Sequence, residues 1–186
     1  MGNPELKEHE LLIDAARNGD LERVKVLISE GADASFDNDR ALRIASGRGH
    51  YDVVKFLIES GSNANSGEGY CLHIAATNGC IELVELLLDN GAEIDSKQGS
   101  ALRYAACYGH TDIVDLLIIR GADISFNNDQ AIRWASEFKY PGIVKLLIES
   151  GSTYDYQEFF DLVGINDHMS KEEAIDLLTV MSVNKK

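Results

Sequence analysis

The sequence predicts an all-α fold, a solenoid of stacked helical hairpins. Three observations predict it. Glycine recurs every thirty residues, at Gly31, Gly61, Gly91, Gly121 and Gly151. A small residue follows each: Ala32, Ser62, Ala92, Ala122 and Ser152. An apolar block precedes four of them, reading "VVKFLI", "LVELLL", "IVDLLI" and "IVKLLI". A fixed period of about 20–50 residues marks stacked units, none of which buries its apolar faces alone.

The first ten residues form a leader without an apolar signal region. Residues 11–30, "LLIDAARNGDLERVKVLISE", fit the repeat frame through Ala15 and Gly19. Four further units cover 31–60, 61–90, 91–120 and 121–150. Each reads as two short helices. In the first, Leu42, Ala45, Ser46 and Gly49 share one face at helical spacing. Leu72, Leu102 or Ile132 and Ala75, Ala105 or Ala135 repeat that face. Small residues there let helices approach closely. In the second helix, Val54, Leu57 and Ile58 share a face that Val53 and Phe56 widen, which suits a helix between neighbours.

Glycines such as Gly61 supply the left-handed position that ends the second helix. Polar stretches such as "SFDNDR" (35–40) are turns. The unit at 121–150 is irregular: Lys139 replaces the turn glycine, and Pro141 suits the first position of its second helix. Residues 152–186 leave the pattern and form a helical cap. Phe159, Phe160, Leu162 and Val163 cover the last unit, with Ile175, Leu177 and Leu178 behind. Ser170 and Glu173 form a capping box opening the last helix.

Bulk properties narrow the function. The 186 residues carry a net charge of −14, which argues against nucleic acid and anionic membranes as partners. Three cysteines, Cys71, Cys80 and Cys107, form no close pair, so neither a disulfide framework nor a metal site is expected. Reduced thiols point to the cytosol or nucleus. No apolar run approaches the roughly 18 residues of a membrane span.

The residues that carry the repeat resemble ankyrin repeats. The match is clearest in "LHIAATNGCIELVELLLDNGAEID" (72–95), and five copies span 11–151. The resemblance implies a binding scaffold whose partner meets a concave face of fingers and first helices. Departures are informative. The family period is about 33 residues, and the residues missing here fall in the β-hairpin finger, so the fingers are expected to be shortened. The Thr-Pro before Leu-His is absent, and Arg43, Arg103 and Arg133 take the histidine position that His73 keeps. The resemblance implies that these arginines tie the local turn, with Asp37, Asp39 and Asp129 as neutralising partners. Short units of this kind are similar to ankyrin proteins encoded by giant DNA viruses of amoebae. In the family, an asparagine just after the Gly-Ala turn is a hydroxylation site, and Asn65 matches that position.

A helical wheel locates the outward columns. With Leu42 facing inward, Ile44 and Arg48 point away. One column is Ile44, Ile74, Tyr104, Trp134; the other is Arg48, Asn78, Tyr108, Phe138. Both become aromatic toward the C-terminal units. The candidate partner-binding residues are therefore Tyr104, Tyr108, Trp134, Phe138, Arg48 and Asn78, with Arg103 and Arg133 at the rim. The competing expectation is that Tyr104 and Trp134 fill space left by the shortened fingers. No catalytic constellation is found: His50 and His110 recur with the repeat, and Cys107, outward on the wheel, has no accompanying base. No cofactor is implied. The expected function is a non-catalytic, monomeric protein-interaction module, a viral adaptor or decoy for a host protein. The alternative is a structural protein acting by self-association.

Overall fold

A computed structural model describes residues 4–155, 157–165 and 170–183, without the side chains of residues 4–6, 162, 182 and 183. The helices are α1 (Pro4–Asn18), α2 (Leu21–Ser29), α3 (Phe36–Arg48), α4 (Tyr51–Glu59), α5 (Ser66–Thr77), α6 (Ile81–Asp89), α7 (Ser96–Tyr108), α8 (Thr111–Ile119), α9 (Phe126–Glu137), α10 (Pro141–Glu149), α11 (Gln157–Leu162) and α12 (Lys171–Val183). No strand occurs among the described residues. α1 begins at Pro4, so the helix takes in most of the stretch read as a leader.

The chain divides into two compact units, Met1–Ser96 and Lys97–Lys186. In the first, α1 packs on α3 and α3 on α5, while α2 packs on α4 and α4 on α6. First helices stack on first helices, and second on second. In the second unit α8, α10 and α12 form one such row. α11 packs on α9 and α12 on α10, the places a further hairpin would occupy. The C-terminal cap is therefore a divergent sixth hairpin. Phe159 and Phe160 are fully buried, with ring centroids 5.4 Å apart, and Leu178 is buried with them. Its helix opens with a reciprocal capping box: the Ser170 amide donates to Glu173 Oε2 at 2.7 Å, and the Glu173 amide to Ser170 Oγ at 3.3 Å.

The period is written into the burial. Leu27, Leu57, Leu87, Leu117 and Leu147 are at most 1% exposed. Each contributes about 2 kcal/mol of apolar burial. The glycine closing each second helix carries a Schellman motif. Gly61 has φ 106°, its amide donates to Ile58 O, and the Ser62 amide donates to Leu57 O at 3.0 Å. Open space surrounds the Cβ position of Gly61, so its backbone angle alone requires glycine.

The shortened finger has a definite form. Asp37, Asn38 and Asp39 all take φ of 52–54°, one left-handed turn before α3 continues right-handed. Gly67–Gly69, Lys97–Gly99 and Asn127–Asp129 repeat it. Asn, Asp and Gly tolerate this region best, which is why the turns are rich in them. Side chains tie the turns to their neighbours. Asp39 Oδ1 accepts the Asn63 amide at 3.0 Å, and Ser66 Oγ donates to Asn38 O at 2.8 Å. Lys139 holds φ 60°, the left-handed conformation of the glycine it replaces. Pro141 opens α10 at its first turn.

Candidate protein interface

Residues four apart share a helix face, so Tyr104 and Tyr108 stand together on α7. Their rings stack at 6.4 Å between centroids. Thirty residues on, α9 presents Trp134, which meets Tyr104 edge-on at 5.4 Å and an interplanar angle of 70°. Tyr108–Tyr104–Trp134 is thus one continuous aromatic strip. Tyr104 and Trp134 are half-buried, whereas Tyr108 is 54% exposed. Phe138, the C-cap of α9, is 49% exposed. Tyr104 and Trp134 are thus more enclosed than Tyr108 and Phe138, whose rings present half-exposed apolar surface.

Arg103 fixes one end of the strip. Its Nε donates to Gln98 O at 3.1 Å and one amino group to Lys97 O at 3.3 Å, both carbonyls of the left-handed turn. A second amino group reaches Gln130 Oε1, and the guanidinium lies 5.8 Å from the Trp134 ring centroid. Arg43 repeats the pattern, donating to Asn38 O at 2.9 Å and Asp37 O at 3.2 Å. Arg43 and Arg103 thus each tie their own turn. Their partners are carbonyls rather than the expected carboxylates: Asp39 serves the Asn63 amide, and Asp37 pairs with Arg40 at 3.3 Å. A carbonyl-bound guanidinium keeps its whole charge.

Beside the strip lies a cavity of about 370 Å³ whose lining includes Arg133, Trp134, Glu137, Tyr154 and Glu158. Tyr154 donates its hydroxyl to Glu158 at 2.6 Å. Burial, then the Glu158 carboxylate, pushes the phenol up to about 12. Tyr154 and Glu158 were not legible as site residues, because they lie past the repeat pattern and α9 reaches them only through the sixth hairpin.

Arg48 and Asn78 belong to the other compact unit. Both are exposed, and Asn78 Nδ2 donates to Gly47 O at 3.3 Å. Asn65 is half-buried. Its Oδ1 accepts the Glu93 amide at 3.2 Å and Ser96 Oγ at 3.1 Å, so this amide holds neighbouring turns together. Cys107 is half-buried rather than outward, and burial raises its thiol pKa, with Glu137 adding to the effect. That makes it a poorer nucleophile than the wheel suggested.

A family model for ankyrin repeats, in three copies, matches residues 12–98 and 72–158. The chain belongs to the ankyrin repeat family. No curated protein matches it. Ankyrin repeats are generally protein–protein interaction modules and generally lack catalysis. No described helix is long and apolar enough to cross a membrane. In ankyrin terms, the aromatic strip occupies the first helices of two successive repeats, next to fingers reduced to a single left-handed turn.

Proposed function

We propose that this ankyrin protein binds another protein through the first-helix face of α7 and α9, with Tyr108, Tyr104 and Trp134 as its centre and Phe138 and Arg133 at its edge. One observation carries the reading: the half-exposed rings of Tyr108 and Phe138 flank a packed Tyr104–Trp134 pair that Arg103 locks in place. Rigid aromatic anchors beside arginine are the composition of binding hot spots. Little ordering entropy is lost at Tyr104 and Trp134 on binding, since their rings already pack together. In the family, first helices contribute to the binding surface, which supports this reading. Arg48 and Asn78, on the first-helix columns of the other unit, are proposed as further contacts. The similarity of the short units to proteins of giant amoebal viruses supports an adaptor or decoy acting on a host protein in the host cytosol or nucleus.

Affinity capture from a eukaryotic lysate tests the reading. Wild-type protein and the Trp134→Ala/Phe138→Ala double variant are compared, with circular dichroism to establish folding. Loss of a specific captured protein by a folded variant supports the face. Equal capture contradicts it. Light scattering showing a stable homo-oligomer that the same variant dissociates would instead make self-association the function.

A further inference from the structure

The first compact unit holds a cavity of about 360 Å³ lined by Arg17, Arg40, Arg43, Arg48, Ile44, Gly47 and Tyr70. Four of the chain's eight arginines thus converge on one concavity, in a protein of net charge −14. Concentrating cations against the prevailing sign has an electrostatic cost unless an anion is to be met there.

The four guanidiniums are not equivalent. Arg17 pairs with Asp14, and Arg40 with Asp37 at 3.3 Å and Glu10 at 3.8 Å. These pairs are 40% or more exposed on both sides, and exposed pairs exchange partners at little cost. Arg43 is clamped by the carbonyls of Asn38 and Asp37. Those bonds orient its fork without neutralising it, and two of its five N–H donors are used by them. Arg48 is exposed and has no ion pair among the described residues. The cavity therefore offers one fixed and one exposed guanidinium, both without a carboxylate ion pair among the described residues, with Ile44 and Tyr70 as an apolar wall.

We propose that this cavity takes the phosphate group of a phosphorylated side chain on a protein partner. Two uncompensated guanidiniums match a phosphomonoester, which carries about −1.5 to −2 at neutral pH, better than a single carboxylate. The fork geometry of arginine pairs with phosphate oxygens in parallel. Nucleic acid is the less suited polyanion, because its extended backbone would meet the acidic surface beyond the cavity. This site shares only Arg48 with the proposed partner face and no residue with the aromatic strip, so its failure would leave the strip's assignment standing.

Calorimetric titration of the full chain at low ionic strength tests it, with phenyl phosphate and O-phosphoserine as separate probes. At least one is expected to bind at a single site, and the tighter of the two distinguishes phosphotyrosine from phosphoserine as the source. Arg48→Ala is expected to weaken binding tenfold or more, since a charge-assisted contact is lost. Arg48→Lys restores part of the affinity, and Trp134→Ala/Phe138→Ala leaves it unchanged. Arg48 has no side-chain hydrogen bond or ion pair among the described residues, and circular dichroism establishes that its variants fold. The proposal is overturned if neither probe binds or if Arg48→Ala binds as wild type. It is overturned equally if benzoate binds as tightly as phenyl phosphate, or if a single-stranded oligonucleotide binds more tightly than either probe.

Discussion

Trp134 stands edge-on to Tyr104 across two successive repeats, their ring centroids 5.4 Å apart. An edge-to-face pair of this kind contributes about 0.5–1.5 kcal/mol beyond simple burial. Trp134 is the chain's single tryptophan, so its fluorescence reports on the face directly. Trp134→Ala is expected to weaken partner binding by about 2 kcal/mol, roughly 30-fold. Tyr108→Ala, which removes an exposed ring, is expected to weaken binding with almost no loss of folding stability. A Tyr108→Ala protein that unfolds earlier in urea, yet binds normally, would make the ring structural.

Glycine substitutions separate backbone strain from steric collision. At Gly121, φ is 91° and an added Cβ meets nothing within 4 Å. Gly121→Ala is expected to cost about 1–2 kcal/mol, the left-handed penalty alone. At Gly109, φ is 80° and the same Cβ would lie 2.6 Å from the Tyr140 ring. Gly109→Ala is expected to cost clearly more, because Tyr140 must also move. Urea unfolding midpoints of the two variants give the comparison.

The sixth hairpin depends on its cap. Ser170→Ala removes the acceptor for the Glu173 amide and is expected to cost about 1 kcal/mol. The hydrogen bond donated by the Ser170 amide also holds the Glu173 carboxyl below its ordinary 4.5, so the box weakens as pH falls below that value. Hydrogen exchange within residues 171–181 measures the loss.

Two protonated groups, the buried Cys71 thiol and the half-buried Tyr154 phenol, contribute to alkaline stability. Burial pushes the Cys71 thiol from 9.0 to about 11, and Tyr154 rises from 10.0 to about 12. The folded chain holds these protons after the unfolded chain has released them. Their contribution is therefore complete below pH 9 and is lost between pH 9 and 12. Cys71→Ala is expected to flatten the part between pH 9 and 11. At the acid end the Ser35 and Ser125 hydrogen bonds keep Asp33 and Asp123 below 3.8, so stability present above that value is lost as pH drops past it. Thermal melts across pH check both limbs. Cys71, fully buried, is also expected to resist thiol reagents until the chain unfolds.

Much of the fold was legible because a repeat states the same physics five times. Leu57, its counterparts and the closing glycines had to recur for each hairpin to bury its faces and end its second helix. The first-helix columns were legible for the same reason, although Ile44, Ile74, Tyr104 and Trp134 are half-buried rather than outward; the rings of Tyr104, Tyr108 and Trp134 meet. Features whose residues vary from unit to unit were harder. The left-handed turn at Asp37–Asp39 reads as generic polar loop, since Lys97 and Gln98 occupy it elsewhere without any turn preference. The carbonyl partners of Arg43 and Arg103 follow from that turn, which explains why carboxylates were expected in their place. The arginine cavity joins Arg17 and Arg40 to Arg48 from three different repeat positions, so no column of the alignment contains it.

The most direct test of the binding face is site-specific photo-crosslinking in cells. A photoreactive residue is placed at Tyr108, at Phe138 and, as a contrast on a second helix, at Ile119, which is 72% exposed. The same partner protein is expected to be captured from positions 108 and 138 and not from 119. Capture from 119 alone would contradict the account, placing the partner on the second helices and leaving the aromatic strip as packing.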